Sequence, residues 1–168
     1  MESNPIEIKL RDGRPDELEQ VAKLLVAAYQ EYKDFMPGER WDWYRNDMID
    51  IRSRMADSEL IVAEVRNKIA GTVTLYPKGS NNGWPAGWAG IRLLAVHPDH
   101  RGRGIGRELM EECIRRCQEQ ATKTIGLHTT ELMKVARAMY ERIGFERIPE
   151  FDFHPAPDTV VFAYHLDL

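Results

Sequence analysis

A short turn of glycines and arginines carries the clearest chemical signal in this sequence. It lies between a run of strand-forming residues and an amphipathic helical pattern. The first amides of a helix have no partner within the helix and lie at the positive end of its dipole, so they bind anions. The glycines let the backbone approach a bulky diphosphate and adopt positive φ, and the arginines add positive charge. We therefore predict a phosphate-binding turn made of Arg101, Gly102, Arg103, Gly104, Ile105, Gly106 and Arg107.

The same turn has a simpler interpretation, in which glycines only reverse the chain and the arginines are solvated. Two other phosphate motifs do not fit. The lysine of a Walker motif is missing, and a dinucleotide fold needs its glycine turn after the first strand, with an acidic residue about 20 positions later. A phosphate site of another kind is therefore the prediction.

The elements around the turn alternate between strand and helix. Hydrophobic periodicity predicts strands at 6–10, 59–66, 69–76, 91–96, 124–129, near Phe145 and at 160–166, and helices opening at Pro15 and spanning 41–55, 105–120 and 132–143. Asn67 and Lys68 are predicted to form a hairpin loop between two of these strands. We expect a mixed α+β fold, with a single central mixed sheet of about six to seven strands, helices on both faces, and one domain over residues 1–168.

The charge and composition of the chain argue against several classes of function. The chain has 168 residues and a formal charge of −4, which argues against nucleic-acid binding because such binding needs a basic surface. The sequence has no apolar run long enough to cross a bilayer and no basic leader, so we expect a cytoplasmic protein without membrane partners. Cys113 and Cys117 are interpreted as core thiols, and His97 with His100 is too small a set for a metal site.

Two segments resemble the GNAT acetyltransferase superfamily. LLAVHPDHRGRGIGRELM is similar to its acyl-CoA motif of Arg or Gln, two residues, Gly, one residue, and Gly or Ala, met here by Arg101, Gly104 and Gly106. ARAMYERIGF at 136–145 resembles its Ala, Leu-Tyr, Gly-Phe signature. The resemblance implies an acetyl-CoA-dependent N-acetyltransferase that needs no metal and transfers the acetyl group directly to a primary amine, without a covalent enzyme intermediate.

The resemblance also implies roles for individual residues. The amides of residues 101–107 hold the CoA pyrophosphate, the main chain of Leu94 and Val96 pairs with the pantetheine arm, and Ala136 belongs to the cofactor site. Tyr140 is the expected acid for the departing thiolate, because a phenol is protonated at neutral pH. The alternative for Tyr140 is a purely structural place in the core.

The general base stays open. Many members of the superfamily carry a glutamate where Gly90 aligns here, so that assignment does not transfer. His128 is the next candidate, with a chain of water molecules as the alternative. Met133 stands where an asparagine is often found, which removes one expected contact to pantetheine.

The segments expected to line the acceptor site, 31–50 and 146–158, are acidic. The first has six acids against three bases and the second has four against one, so each has a net charge of −3. With aromatic residues nearby in sequence, this favours a small cationic acceptor such as a polyamine or an amino sugar, or a lysine side chain. A solvated acidic surface is the alternative.

Two rival functions remain from the sequence. One is a non-catalytic acyl-CoA sensor, and the other is a nucleotide-binding regulatory domain, which leaves the 136–145 motif unexplained. O-acetyl transfer, the acyl-chain preference and the oligomeric state also stay open, including a homodimer formed through the edge or exchange of the final strand, 159–166.

Overall fold

The computed structural model describes residues 4–79 and 83–168 of the chain. Residues 80–82 of the predicted loop at 78–88 therefore lie outside the described residues, as do residues 1–3. The helices are α1 Leu18–Tyr29, α2 Gly38–Ile49, α3 Ile51–Arg54, α4 Ile105–Glu119 and α5 Lys134–Ile143. The strands are β1 Ile8–Asp12, β2 Glu59–Val65, β3 Lys68–Tyr76, β4 Ala89–Val96, β5 Thr124–Thr129, β6 Glu146–Arg147, β7 Phe153–Ala156 and β8 Thr159–Asp167.

The strands form an open mixed sheet. Its order is β1-β2-β3-β4-β5-β8-β6, and β7 pairs with β8 away from this path. Strands β4 and β5 are parallel, as the strand-helix-strand order predicted, whereas β5–β8 and β1–β2 are antiparallel. The predicted fold class, mixed α+β with one central sheet, is confirmed.

The chain divides into two compact units, and β3, β4 and α4 each contribute to both. The first unit comprises residues 4–74 and 93–112 of the described chain, and its fully buried side chains include Val21, Leu25, Met48, Ile61, Ile105 and Leu109. The second comprises 75–92, without the undescribed residues, and 113–168, with Ile125, Leu127 and Tyr164 fully buried. Cys113 and Cys117 are buried core thiols, as predicted.

The long second helix predicted over 41–55 is wrong, because it ends at Ile49 and resumes as the short α3. Asp50 between them leaves the helical region, with φ −81° and ψ 60°. The guanidinium of Arg54 donates hydrogen bonds to the carbonyls of Asp47 and Met48 near the end of α2. These carbonyls need partners where a helix stops, and a buried arginine supplies them.

The hairpin between β2 and β3 is present, but its loop lies one residue earlier than predicted. Arg66 and Asn67 both have positive φ, 51° and 63°, which is typical of a two-residue type I′ turn. Lys68 is the first residue of β3. The helix predicted from Leu132 similarly begins two residues later, at Lys134.

The carboxyl terminus contains a strand that the sequence did not predict. β7 pairs antiparallel with β8, through Phe153 with Val161 and Ala156 with Thr159. Since β8 pairs with β5 on one side and with β6 and β7 as well, the last strand is not a free edge. The alternative that β8 presents an edge to another subunit is therefore wrong.

Candidate active site

The turn at 101–107 has the backbone conformation that an anion site requires. Gly102 and Gly104 have φ of 76° and 81°, and no atom lies within 4 Å of a Cβ placed on either residue. Their glycine requirement is therefore conformational, while Gly106 lies inside the first turn of α4. The carbonyl of Gly104 accepts the amide of Glu108 at 3.0 Å, which begins the helix. The amides before this bond are the ones available to a ligand.

A glycine on β3 fixes the start of α4. A Cβ at Gly71 would lie 2.7 Å from Cγ2 of Ile105 and 3.2 Å from the carbonyl oxygen of Ala95. Ile105 is buried, with 1% of its surface exposed. Its side chain therefore anchors the turn, while its backbone amide belongs to the helix amino terminus.

The three arginines of the turn have different surroundings. Arg107 pairs with Glu111 one helical turn away, at 2.9 Å. Arg103 is exposed and makes no ion pair with any residue of the described ranges. Arg101 reaches the end of α1, where its Nη2 donates to the carbonyl of Ala28 at 2.9 Å and lies 3.0 Å from Oε1 of Glu31. The sequence placed Arg101 in the phosphate-binding turn and the acyl-CoA motif but indicated neither of these partners.

The first part of β4 pairs with β5, and the strand then departs from regular strand conformation at Leu93. Its ladder with β5 covers three pairs, from Ala89–Ile125 to Ile91–Leu127. Leu93 then has φ of 54°, a costly conformation for a branched side chain. Beyond it, the carbonyl of Leu94 accepts a hydrogen bond from the Tyr29 hydroxyl at 2.8 Å. This contact joins α1 to the stretch that the family resemblance assigns to pantetheine.

Tyr29 belongs to a cluster of tyrosines at the end of α1. Its ring lies 6.0 Å from those of Tyr32 and Tyr44, measured between centroids. Burial raises the pKa of Tyr32, and the negative charge of Glu31 acts in the same direction. The sequence showed Tyr29 only as part of an apolar stripe, so the cluster was missed.

Tyr140 and Ala136 lie one turn apart on α5, in the second unit. The Tyr140 side chain is 7% exposed and its ring meets that of Phe145 at 6.0 Å, in a T-shaped arrangement. The helix ends at Gly144, which has φ of 120° and donates its amide to the carbonyl of Tyr140. The Gly-Phe part of the motif thus ends the helix and packs against the tyrosine.

His128 is held in a ring stack on β5. Its imidazole lies 4.5 Å from the Trp84 ring and is nearly parallel to it, and Phe153 approaches edge-on. Nε2 lies 3.0 Å from the carbonyl oxygen of Phe151, so in the neutral ring this nitrogen carries the proton and donates. Burial lowers the pKa of His128, which favours the neutral ring.

A glycine explains how the tryptophan reaches this place. A Cβ at Gly126 would lie 2.6 Å from the indole of Trp84, so the indole covers β5 directly. Trp88 stacks on Trp84 at 5.6 Å and on His165 at 5.9 Å. The sequence placed Trp84 only in a loop. A glycine in a strand, Gly126, two residues before His128, was the one sign that another group packs closely against β5.

One acid of the second acidic segment has a structural role. Both oxygens of Asp152 accept from Arg147, at 2.6 and 2.7 Å, and Oδ1 also accepts the amide of Ala163. The hydrogen bond from Arg147 lowers the pKa of Asp152. Asp152 therefore holds β8 in place, whereas Glu146, Glu150 and Asp158 remain exposed.

The predicted site residues fall in both units. Leu94, Val96 and the turn at 101–107 lie in the first, together with Tyr29 and Glu31, whereas His128, Ala136 and Tyr140 lie in the second. Within residues 4–79 and 83–168, no group of three or more His, Cys, Asp or Glu side chains is arranged to hold a metal ion. His97 instead accepts the amide of Asp99 on Nδ1. None of the described helices has the length and apolar character of a membrane span.

The sequence of this chain is similar to those of known N-acetyltransferases. The curated N-acetyltransferase 8F1 of Rattus norvegicus is 30% identical over 122 residues, which cover 67% of this chain and 54% of that protein. The chain thus spans only a little over half the length of the curated relatives it matches.

Solved structures match nearly the whole chain. The PaiA N-acetyltransferase of Thermoplasma acidophilum, solved with coenzyme A, has a TM-score of 0.76 at 15% identity, covering 97% of this chain and 100% of that one. A GNAT family acetyltransferase of Brucella melitensis, solved with acetyl-CoA, has a TM-score of 0.67 at 18% identity, with coverages of 96% and 88%. The ribosomal-protein-S18-alanine N-acetyltransferase of Escherichia coli has a TM-score of 0.71 at 17% identity, with coverages of 96% and 94%.

The family match itself spans both sequence motifs. The model described as the acetyltransferase (GNAT) family matches residues 18–145, about three quarters of the chain. The match runs from the start of α1, through the turn at 101–107, to Phe145, and so confirms the resemblance that the two motifs indicated. The chain belongs to the acetyltransferase (GNAT) family.

Proposed function

We propose that this protein is an acetyl-CoA-dependent N-acetyltransferase that moves an acetyl group directly to the primary amine of a small cationic molecule. The observation that carries the proposal is the left-handed Gly102–Gly104 turn at the amino terminus of α4, inside the family match. Relatives solved with coenzyme A or acetyl-CoA support the choice of cosubstrate. The family match crosses between the two compact units, which supports treating residues 1–168 as one domain.

Besides the two bound substrates, the reaction needs a base and an acid. The neutral amine attacks the thioester carbonyl, a C–N bond forms, and the C–S bond breaks as the oxyanion collapses. One proton must leave the attacking amine and one must reach the departing thiolate. Proximity of the two bound substrates supplies much of the rate.

Tyr140 is the proposed acid. Its phenol is protonated at neutral pH, so it donates its proton to the CoA thiolate and recovers it from solvent. The packing of its ring against Phe145 fixes the side chain at the end of α5. A fixed donor is what a positioned general acid requires.

His128 is the proposed base, and its hydrogen bonding supports the role. Because Nε2 donates to the Phe151 carbonyl, the lone pair of the neutral ring is on Nδ1. Nδ1 has no hydrogen-bond partner among the described residues. The lowered pKa keeps this lone pair available at neutral pH. A chain of water molecules to solvent is the alternative route for the proton.

The proposal that the acceptor is cationic rests on the exposed acidic residues of segments 31–50 and 146–158. Asp34, Glu39, Asp42, Glu146 and Glu150 are exposed, and such carboxylates attract cations and repel anionic amines. One structural relative acts on a ribosomal protein alanine. A peptide with an amino-terminal alanine therefore belongs in the test beside polyamines, amino sugars and neutral amines.

The test combines acetyl-CoA binding with thiol release. Wild-type protein is titrated with acetyl-CoA and with ATP by calorimetry, and CoA release is then measured over the amine panel. We expect selective binding of acetyl-CoA and turnover with cationic amines. Tyr140→Phe should lower kcat by about 10² or more, and His128→Gln should remove the acid limb of the kcat/KM profile. Tyr76→Phe, another buried tyrosine, is the matched control.

Each alternative has its own result in this assay. Selective binding with no turnover of any amine favours the acyl-CoA sensor, and equal binding of ATP and acetyl-CoA favours the nucleotide-binding domain. Turnover of only neutral or anionic amines contradicts a cationic acceptor, and turnover of the alanine peptide alone contradicts a small one. Full kcat in Tyr140→Phe contradicts the role of Tyr140.

A further inference from the structure

Arg101 connects two parts of the first unit that the sequence treats separately. It is the first residue of the anion-binding turn, and a single nitrogen, Nη2, contacts both the Ala28 carbonyl and the Glu31 carboxylate. The Ala28 carbonyl belongs to the last turn of α1, where carbonyls lack partners within the helix. The guanidinium therefore joins the turn to the first acid of the segment proposed to face the acceptor.

The ion pair between Arg101 and Glu31 is exposed. Its side chains retain 44% and 50% of their accessible surface, respectively. Exposed pairs of this kind are worth only about 0–1 kcal/mol, so another anion can displace the carboxylate. A diphosphate is a stronger partner, because a guanidinium binds phosphate oxygens in a bidentate manner.

Glu31 also lies close to a tyrosine. Besides burial, its negative charge helps to raise the pKa of Tyr32, while the positive charge of Arg101 acts in the opposite direction, so the tyrosine, the glutamate and the arginine lie near one another. Two residues earlier, the Tyr29 hydroxyl donates to the carbonyl of Leu94. The end of α1, two residues before Glu31, is therefore fixed beside the part of β4 that is expected to bind pantetheine.

We propose that this ion pair is exchanged during the reaction cycle: Arg101 turns to the diphosphate of the acyl-CoA, and Glu31, released, binds the ammonium group of the acceptor. The inference rests on the proposed function and adds to it a residue for acceptor recognition. Binding of acyl-CoA favours binding of the acceptor, because it releases the carboxylate that the acceptor uses. Glu31 positions the amine and leaves the proton to the base.

The decisive experiment measures CoA affinity in Glu31→Gln. Removing the competitor frees Arg101, so the Kd for CoA measured by calorimetry should fall by about two- to fivefold. Glu19→Gln, an exposed carboxylate on α1 paired with Lys23, is the matched control and should leave the Kd unchanged. In an Arg101→Gln background, Glu31→Gln should have no effect on the Kd.

The kinetic part uses the amine of lowest KM from the panel. Glu31→Gln should raise its KM at least about threefold, with kcat within about twofold, whereas Glu19→Gln should change neither. Opposite changes in CoA affinity and amine KM are not expected from local structural damage, which weakens both. An unchanged or weaker CoA affinity in Glu31→Gln overturns the exchange, and an unchanged amine KM overturns the acceptor role.

Failure of the proposed function gives a different result. If no amine turns over, or wild-type protein does not bind CoA selectively, the proposed transferase is wrong before any Glu31 variant is compared. If wild-type binds CoA selectively without turnover, the Kd comparison between Glu31→Gln and Glu19→Gln still decides whether the ion pair competes with the diphosphate.

Discussion

A glutamate flanks α1 at each end, Glu17 before it and Glu31 after it, and the arginine that pairs with each glutamate comes from another part of the chain. At the amino end, Arg11 binds Glu17 and Glu64, and the Glu17 side chain is only 6% exposed. Glu17 also accepts the backbone amide of Arg14 at 2.8 Å. At the carboxyl end, Arg101 and Glu31 are about half exposed and meet through one nitrogen.

The difference separates a structural ion pair from an exchangeable one. A buried carboxylate that loses its partner costs several kcal/mol, so the Glu17 network holds one arrangement. An exposed ion pair contributes little to stability, so little free energy opposes its separation. It can therefore exchange partners when a ligand binds. One helix thus has a fixed end and an end that can respond to binding.

The largest effect is expected at the fixed end. Glu17→Gln leaves Arg11 with one carboxylate and should lower the free energy of unfolding by about 3 kcal/mol, measured by urea denaturation. CoA affinity of the folded protein should stay within about twofold, because Glu17 is not part of the turn. Glu19→Gln is the control, with a loss of at most about 0.5 kcal/mol. A loss as small as that in Glu17→Gln would remove the distinction between the two ends.

Acid titration tests the same network without a substitution. The hydrogen bond from Arg11 lowers the pKa of Glu17 from 4.5 to about 2. A lowered folded-state pKa means that Glu17 stabilises the protein fully above about pH 4.5 and loses this contribution as the pH falls towards 2. The unfolding free energy of Glu17→Gln should therefore depend less on pH in this window. Parallel profiles for the two proteins would show that other carboxylates dominate.

The smallest effect is expected at the exchangeable end. Glu31→Gln should change the free energy of unfolding by less than about 1 kcal/mol, because the ion pair it breaks is exposed. The same urea denaturation series gives the value. A loss comparable to that of Glu17→Gln would mean that the Arg101 contact is structural, and would weaken the case for exchange.

Local features of the fold could be predicted from the sequence. β5 has the bounds 124–129 that its residue pattern indicated, and α4 ends one residue before its predicted end. The glycine turn at 101–107 lies where the pattern placed it. These features depend on periodicity and on residues adjacent in sequence, which a single chain displays directly.

Contacts between distant residues could not be predicted in this way. Tyr29 and Leu94 are 65 positions apart, and Arg101 and Ala28 are 73 apart. Nothing in a tyrosine on an apolar stripe indicates that its hydroxyl meets a particular carbonyl. β7 was missed for a different reason, since prolines such as Pro155 disfavour a strand except at edges.

The Trp84–Trp88 stack gives the protein an optical signal of its own. Two indoles 5.6 Å apart and within 18° of parallel are close enough for their electronic transitions to couple, so we expect their circular dichroism to differ from that of separate indoles. Because Trp84 rests on Gly126 and His128, this signal depends on the packing of Trp84 against β5. A change in that packing can thus be followed spectroscopically without attaching a dye.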